Sequence, residues 1–246
     1  MPRKQRFITV LARLRRDHPD LADPSQAIRA GHVLVGGIPV TNPATLVPDH
    51  TALTLRSTAP LRGERKLTSA LHMFGVTITG AVALDAGAAA GGFTRALLSG
   101  GAARVYAVDV GHGQLQGSLR QDHRVVVLER TNIADLSVAL VPDRLDIITL
   151  DLSYVSLALA TPQLNMLWFS PRAHLVALIK PMFELGASQL PSRDRFAEAV
   201  ARAVRGVEDA GWAEVRTVPS PVLGAGGAAE FFLHARRGDR ADCSVS

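Results

Sequence analysis

Four charged residues stand at the ends of apolar runs: Asp85 after Ala81–Leu84, Asp109 after the run from Arg104, Asp151 after the run from Leu145, and Lys180 after the run from His174. An ionised side chain there is costly unless it is paired or meets a ligand. Any one of them could simply cap the helix that follows. Four together suggest the rim of a site. The first of them opens the stretch AVALDAGAAAGGFTRALL, in which Gly87, Gly91 and Gly92 form a turn between an apolar run and an amphipathic helix. Glycines in such a turn let backbone approach a ligand closely and adopt positive φ. The spacing differs from the dinucleotide fingerprint G-x-G-x-x-G, and no Gly-Lys-Ser/Thr follows as in a phosphate-binding loop. This argues against NAD and ATP. The amino-acid end of S-adenosylmethionine suits a strand-end acid and loop amides better, while a purely structural turn is the competing reading of the loop alone. Asp109 lies about 20 residues past the loop, where an acid can accept both ribose hydroxyls of an adenosine cofactor.

Lysine usage gives a separate indication. The chain has three lysines, Lys4, Lys66 and Lys180, against 24 arginines. Arginine therefore serves wherever any positive charge will do. Lys66 and Lys180 are expected where a compact ammonium serves and a planar guanidinium would fail, with chance placement as the competing reading.

These residues need a scaffold, and the hydrophobic pattern supplies one. From residue 66 onward, helix Lys66–Phe74 precedes strands at Ala81–Leu84, Arg104–Asp109, Arg124–Glu129, Leu145–Asp151 and His174–Lys180. Helices are expected at Gln114–Arg120, Leu157–Leu167 and Arg193–Ala210, and final strands at Glu214–Pro219 and Glu230–Ala235. Repeated βα units predict an α/β, Rossmann-like, doubly wound and mostly parallel sheet with an antiparallel last strand. Its ligands belong at the C-terminal strand ends. Residues 67–236 form this expected domain, and 237–246 an expected disordered tail.

The first segment differs in charge. Residues 1–66 hold eleven Lys/Arg against five acids, a net of +6 where the whole chain carries +5. A basic module beside a near-neutral one suits a polyanion partner, because arginines on one surface release counterions from phosphates; a solvated arginine-rich terminus is the alternative. Phe7, Val10, Leu11 and Leu14 recur at helical spacing, Ser25 is placed to cap a second helix ending at Gly31, and Gly36-Gly37 joins His32–Val35 to Ile38–Val40 as a hairpin, with a further strand at Ala52–Arg56. Two helices and a hairpin reading AGHVLVGGIPVTNP resemble the S-four-like RNA-binding domain, which implies such a module at residues 1–60 and a linker at 61–66.

Other classes are disfavoured. One cysteine, Cys243, leaves no internal disulfide and no cysteine metal cluster, so no metal site is expected. The basic N-terminus is not followed by a signal-peptide apolar region, and the most apolar segment, Leu152–Phe169, is interrupted by Pro162, Gln163 and Asn165. A cytoplasmic protein with no membrane partner, possible as a monomer, is the expectation.

The motifs DAGAAAGGFT, VYAVDVGHGQL, RVVVLERTN, LDLSYVSL, LIKPMFELG and SPVLGAGGAAEFFL together resemble the TlyA family, in which an S-four-like domain is fused to an FtsJ-like ribosomal RNA 2′-O-methyltransferase domain. The resemblance implies a catalytic tetrad at Lys66, Asp151, Lys180 and Glu230. It also implies an S-adenosylmethionine site at Asp85, Gly87, Ala88, Gly91, Gly92, Phe93, Asp109, Val110, Asn132 and Asp151, and ribosomal RNA or ribosomal subunits as partner. The chain departs from the family's usual pattern at Ala89-Ala90, His112, Met182, Ala228-Ala229 and Leu61-Arg62-Gly63-Glu64. A small-molecule methyltransferase on the same fold, and a non-catalytic RNA-binding or haemolysin-like protein, stand as alternatives.

Overall fold

The computed structural model describes residues 6–55 and 60–238. The chain divides into two compact units, Met1–Ala59 and Pro60–Ser246.

In the first unit, β1 (Phe7–Thr9) leads into α1 (Val10–Asp17), then α2 (Pro24–Arg29), β2 (Val33–Val35), β3 (Ile38–Val40), β4 (Leu46–Pro48) and β5 (Leu53–Leu55). Strands β3, β2 and β5 form an antiparallel sheet, and β1 pairs with β4. Gly36 and Gly37, both at positive φ, make the two-residue turn that matches the twist of a hairpin. Val10, Leu14, Ile28, Val33 and Val47 fill the core. Phe7 departs from the helical expectation: pairing with Pro48 extends the backbone there, and Thr9 starts the helix by accepting from Ala12 N–H. Asp23, not Ser25, caps α2 by accepting from Gln26 N–H at 2.9 Å. Arg13 and Arg16 are held by Asp17 and Asp49, so part of the basic charge is neutralised within the unit. Arg56 lies outside the described residues.

The second unit opens with α3 (Arg62–Phe74), so residues expected as a linker form its first turns. The cause is local, since the Glu64 carboxylate accepts from Leu61 N–H and satisfies a free donor at the helix start. Next come β6 (Val82–Ala86), α4 (Gly92–Ser99), β7 (Arg104–Asp109), α5 (Gly117–Arg120), β8 (Val125–Glu129), β9 (Leu145–Leu150), α6 (Leu157–Ala160), β10 (Phe169–Ile179), α7 (Pro181–Glu184), α8 (Phe196–Asp209), β11 (Trp212–Pro219) and β12 (Phe231–Arg237). The sheet order is β11-β12-β10-β9-β6-β7-β8, with β12 antiparallel to both neighbours and the others parallel.

Successive residues of the central strands feed opposite layers, as strand geometry requires. Leu84, Ile148, Leu175 and Ala177 pack with Trp212 on one face. Ala83, Ile147, Val176 and Leu178 pack with α3 and α4 on the other. The helix expected over 157–167 ends at Ala160 and continues as a tighter 3₁₀ turn, Thr161–Met166, whose start contains Pro162. Arg237 belongs to β12 rather than to the expected tail, and lies over the rings of Phe169 and Trp212. The remaining tail, 239–246, falls outside the described residues.

Candidate active site

Strand register decides which charged residues meet. Leu150 pairs with Ala177, so Asp151 and Lys180 emerge from the same edge of the sheet. Ile179 pairs with Phe231 in the antiparallel sense, so β12 begins where β10 ends and Glu230 joins that edge. Lys66 arrives from the second turn of α3. The four form two ion pairs. Lys180 Nζ lies 2.6 Å from Asp151 Oδ1 and donates to Ser153 Oγ at 2.7 Å. Lys66 Nζ lies 2.5 Å from Glu230 Oε2, with both side chains 6% exposed. Burying either of the latter alone would be prohibitive, whereas together they balance. Lys180 and Asp151 are more open, at 15% and 24%.

Both pairs line one cleft of about 640 Å³, whose lining also includes Phe183, Leu190 and Leu223 and the exposed Arg62 and Arg193. Gly224 passes directly over Glu230. A Cβ on Gly224 would sit 2.2 Å from Glu230 Oε1, so a side chain there would displace the carboxylate.

A second, smaller pocket lies beside it, lined by Gly87, Asp109, Val110, Thr131, Ile133, Leu152 and Tyr154. Asp109 ends β7, and its oxygens accept from Ala89 N–H at 2.8 Å and Gly111 N–H at 2.6 Å. A carboxylate has about four acceptor positions, so two are left for ribose hydroxyls. Gly87 has φ +86°, and a Cβ there would lie 2.5 Å from the Asp151 carbonyl oxygen. The two pockets are thus neighbours: Gly87, which lines one, packs against the backbone of Asp151, which lines the other. An acid flanked by loop amides and apolar walls fits an adenosine cofactor. The volume of about 20 Å³ is smaller than a nucleoside, so a wall must yield, and Val110 and Tyr154 are the exposed ones.

Not every expected residue faces a pocket. Asp85 is fully buried, accepting from Thr94 Oγ at 2.6 Å and Thr149 Oγ at 3.0 Å, and burial pushes its carboxyl up to about 6. It ties α4 to β9 beneath the loop, rather than reaching a ligand directly as its strand-end position suggested. The Phe93 ring is in the core, stacked on Phe232 at 6.3 Å. Ala88 is also buried. A Cβ on Gly91 would strike Leu119, and one on Gly92 would strike Gly63, so these glycines let α4 pack against α5 and α3. Asn132 caps the short 3₁₀ turn Ile133–Asp135 by accepting from Ala134 N–H at 3.1 Å.

Ser153 and Gly224 were not anticipated. Ser153 sits two residues beyond Asp151, in the motif LDLSYVSL, and only the loop's course shows that its hydroxyl meets Lys180. Among the described residues no three His, Cys, Asp or Glu side chains converge to hold a metal, and no helix is long and apolar enough to cross a membrane.

A mostly parallel sheet whose strand ends carry a glycine-loop pocket beside a lysine-carboxylate cleft is the architecture of a methyltransferase. The family model described as FtsJ-like methyltransferase matches residues 60–237. The 16S/23S rRNA (cytidine-2′-O)-methyltransferase TlyA of Mycobacterium tuberculosis is 42% identical over 222 residues, covering 86% of this chain and 82% of that protein. The chain belongs to the TlyA family of FtsJ-like methyltransferases. Hemolysin A of Brachyspira hyodysenteriae is 34% identical, with 84% and 90% covered. A solved structure described as a hemolysin of Streptococcus thermophilus superposes with a TM-score of 0.69 at 29% identity, covering 95% of this chain and 89% of that one.

Proposed function

We propose that the chain transfers a methyl group from S-adenosylmethionine to a ribose 2′-hydroxyl of ribosomal RNA, in the cytoplasm. The observation that carries this reading is the placement of two lysine–carboxylate pairs along one cleft that neighbours the Asp109 pocket where Gly87 packs on Asp151. Asp109 would hold the cofactor's ribose, the amides and glycines of 87–92 its remaining polar groups, and Val110, Ile133 and Tyr154 its base. When bound, the sulfonium supplies an activated methyl.

A ribose hydroxyl is a weak nucleophile at neutral pH, so the protein must orient it and stabilise the negative charge that grows on oxygen. Lys180 is suited to this. Its ammonium has three donors; one goes to Ser153, and Asp151 stands beside it as an ion-pair partner. Donor capacity is left for the cleft. Lys66 and Glu230 line the same cleft as a neutral unit, which keeps the local field balanced.

The S-four-like reading of residues 1–60 supports RNA as the acceptor, as do the exposed Arg62 and Arg193 that line the cleft. The test is to incubate the protein with methyl-labelled cofactor and separated ribosomal subunits, then map the modified ribose. Label in a single 2′-O-methylated nucleotide is expected. Cofactor binding with no label in RNA from either subunit would overturn the RNA reading in favour of a small-molecule acceptor, and absence of cofactor binding would overturn the enzyme reading.

A further inference from the structure

The motif that carries Lys180 contains a second ionisable residue, Glu184, to which the reaction above assigns no role. Lys180 is the N-cap of α7 and Glu184 its last residue, with Glu184 N–H donating to the Lys180 carbonyl at 3.2 Å. The Glu184 side chain is 3% exposed. Its Oε1 accepts from Leu157 N–H at 2.8 Å, the first residue of α6. The preceding Ser156 makes no side-chain cap there, so the cap comes from Glu184 instead.

These contacts form a bracket. Lys180 meets Ser153 and Glu184 meets Leu157, each pair 27 residues apart in sequence. Two four-residue steps, 153 to 157 and 180 to 184, are thus clamped at both ends. The segment so held begins at Ser153, which accepts from the Lys180 ammonium, and Asp151, its ion-pair partner, lies two residues before it.

The cap is an expensive one for a purely structural purpose. A helix of four residues needs little more than a hydroxyl to satisfy its first N–H. Here a carboxyl is buried, its Oε2 has no hydrogen-bond partner, and burial pushes it up to about 7, against the opposing pull of the Leu157 N–H and of Arg202. An apolar side chain of equal size would fill the same space without that penalty, but it could not hold the loop.

We infer that Glu184 is a positioning residue for methyl transfer, acting through the loop 151–157 to hold Asp151 and Ser153 in register with Lys180. This rests on the role proposed for Lys180. Geometry at the reacting centre is steeply felt, and a displacement of about 1 Å can lower a rate roughly 100-fold.

The test compares Glu184→Met and Glu184→Gln with the unmodified chain. Methionine keeps the volume and removes the acceptor. Glutamine keeps an acceptor oxygen for Leu157 N–H and removes the acid. Each variant is measured for thermal unfolding, for cofactor affinity by calorimetry, and for the single-turnover methylation rate at saturating cofactor and ribosomal subunits. The expected result is a fall of about 10- to 100-fold in Glu184→Met, with cofactor affinity unchanged and a folded protein by circular dichroism. Recovery of most of that rate is expected in Glu184→Gln. A folded Glu184→Met that methylates at the unmodified rate would overturn the inference, as would a Glu184→Gln no better than methionine. If the unmodified chain methylates no RNA, it is the proposed function that fails, and the two failures are therefore distinct.

Discussion

Replacing Lys180 tests the chemistry most directly, and the structure sets both the size of the effect and its specificity. Its ammonium lies 2.6 Å from Asp151 as an ion pair and donates to Ser153 at 2.7 Å, with donor capacity left for the cleft. Lys180→Ala removes that capacity. Loss of one oriented oxyanion donor costs about 2.7 to 4 kcal/mol of transition-state stabilisation, roughly 100- to 1000-fold in rate. Stability should change little, because the side chain is partly open and Asp151, 24% exposed, can be hydrated once its partner is gone. Cofactor affinity should also hold, since Lys180 does not line the Asp109 pocket. Lys180→Arg is the harder test. It keeps the charge, but the guanidinium fork is wider and planar and cannot reach Asp151, Ser153 and a substrate oxygen from one nitrogen. It should be nearly as slow as alanine. Single-turnover methylation at saturating cofactor and RNA decides the matter: a near-normal rate in the arginine variant would mean that positive charge alone suffices, and a near-normal rate in alanine would remove Lys180 from the chemistry.

The remaining predictions separate stability, cofactor binding and RNA binding. Glu230→Ala strands Lys66 as a buried charge, so it should destabilise by about 3–5 kcal/mol, with a thermal midpoint lower by roughly 10 °C; an unchanged midpoint by calorimetry would show that the pair is hydrated. Asp109→Ala should weaken cofactor binding by about 1.5–3 kcal/mol through loss of charge-assisted contacts to ribose, and equal affinity in isothermal titration would exclude Asp109 from the site. His234 is buried and neutral: burial, the adjoining His174, and the charged Arg216 and Arg236 push it down to about 4. The unfolded chain gains that proton below its ordinary value near 6.5, so this residue's contribution is present above pH 6.5 and lost as pH falls towards 4, up to roughly 3 kcal/mol. Urea unfolding at pH 7.5 and 4.5 should show a smaller acid-side loss in His234→Gln than in the unmodified chain; equal losses would refute the assignment. Removing residues 1–59 should abolish salt-dependent RNA binding and leave cofactor binding intact, and a filter-binding curve unchanged by the deletion would show that this unit is a passenger.

Much of this protein was readable from the chain in one dimension. Apolar runs closed by Asp109, Asp151 and Lys180 marked the strand ends because a strand buried on both faces excludes charge until it emerges. The scarcity of lysine picked out Lys66 and Lys180 because composition shows what a residue is used for only when an alternative is abundant. The Gly36-Gly37 hairpin and the amphipathic helices were legible because they are decided by neighbours in sequence. Tertiary structure decided the rest. Phe7 has helical spacing yet lies in β1, since pairing with Pro48 outweighs local periodicity. Asp85 and Phe93 have the sequence positions of ligand contacts, but two threonine hydroxyls and the Phe232 ring draw them into the interior. The pairing of Lys66 with Glu230, 164 residues apart, depends on β12 running antiparallel beside β10, and no local pattern encodes that register. Sequence names the charged groups, because the cost of burying them is a property of each residue. Only the fold says which two neutralise each other and which is left with a donor free, because that depends on distance.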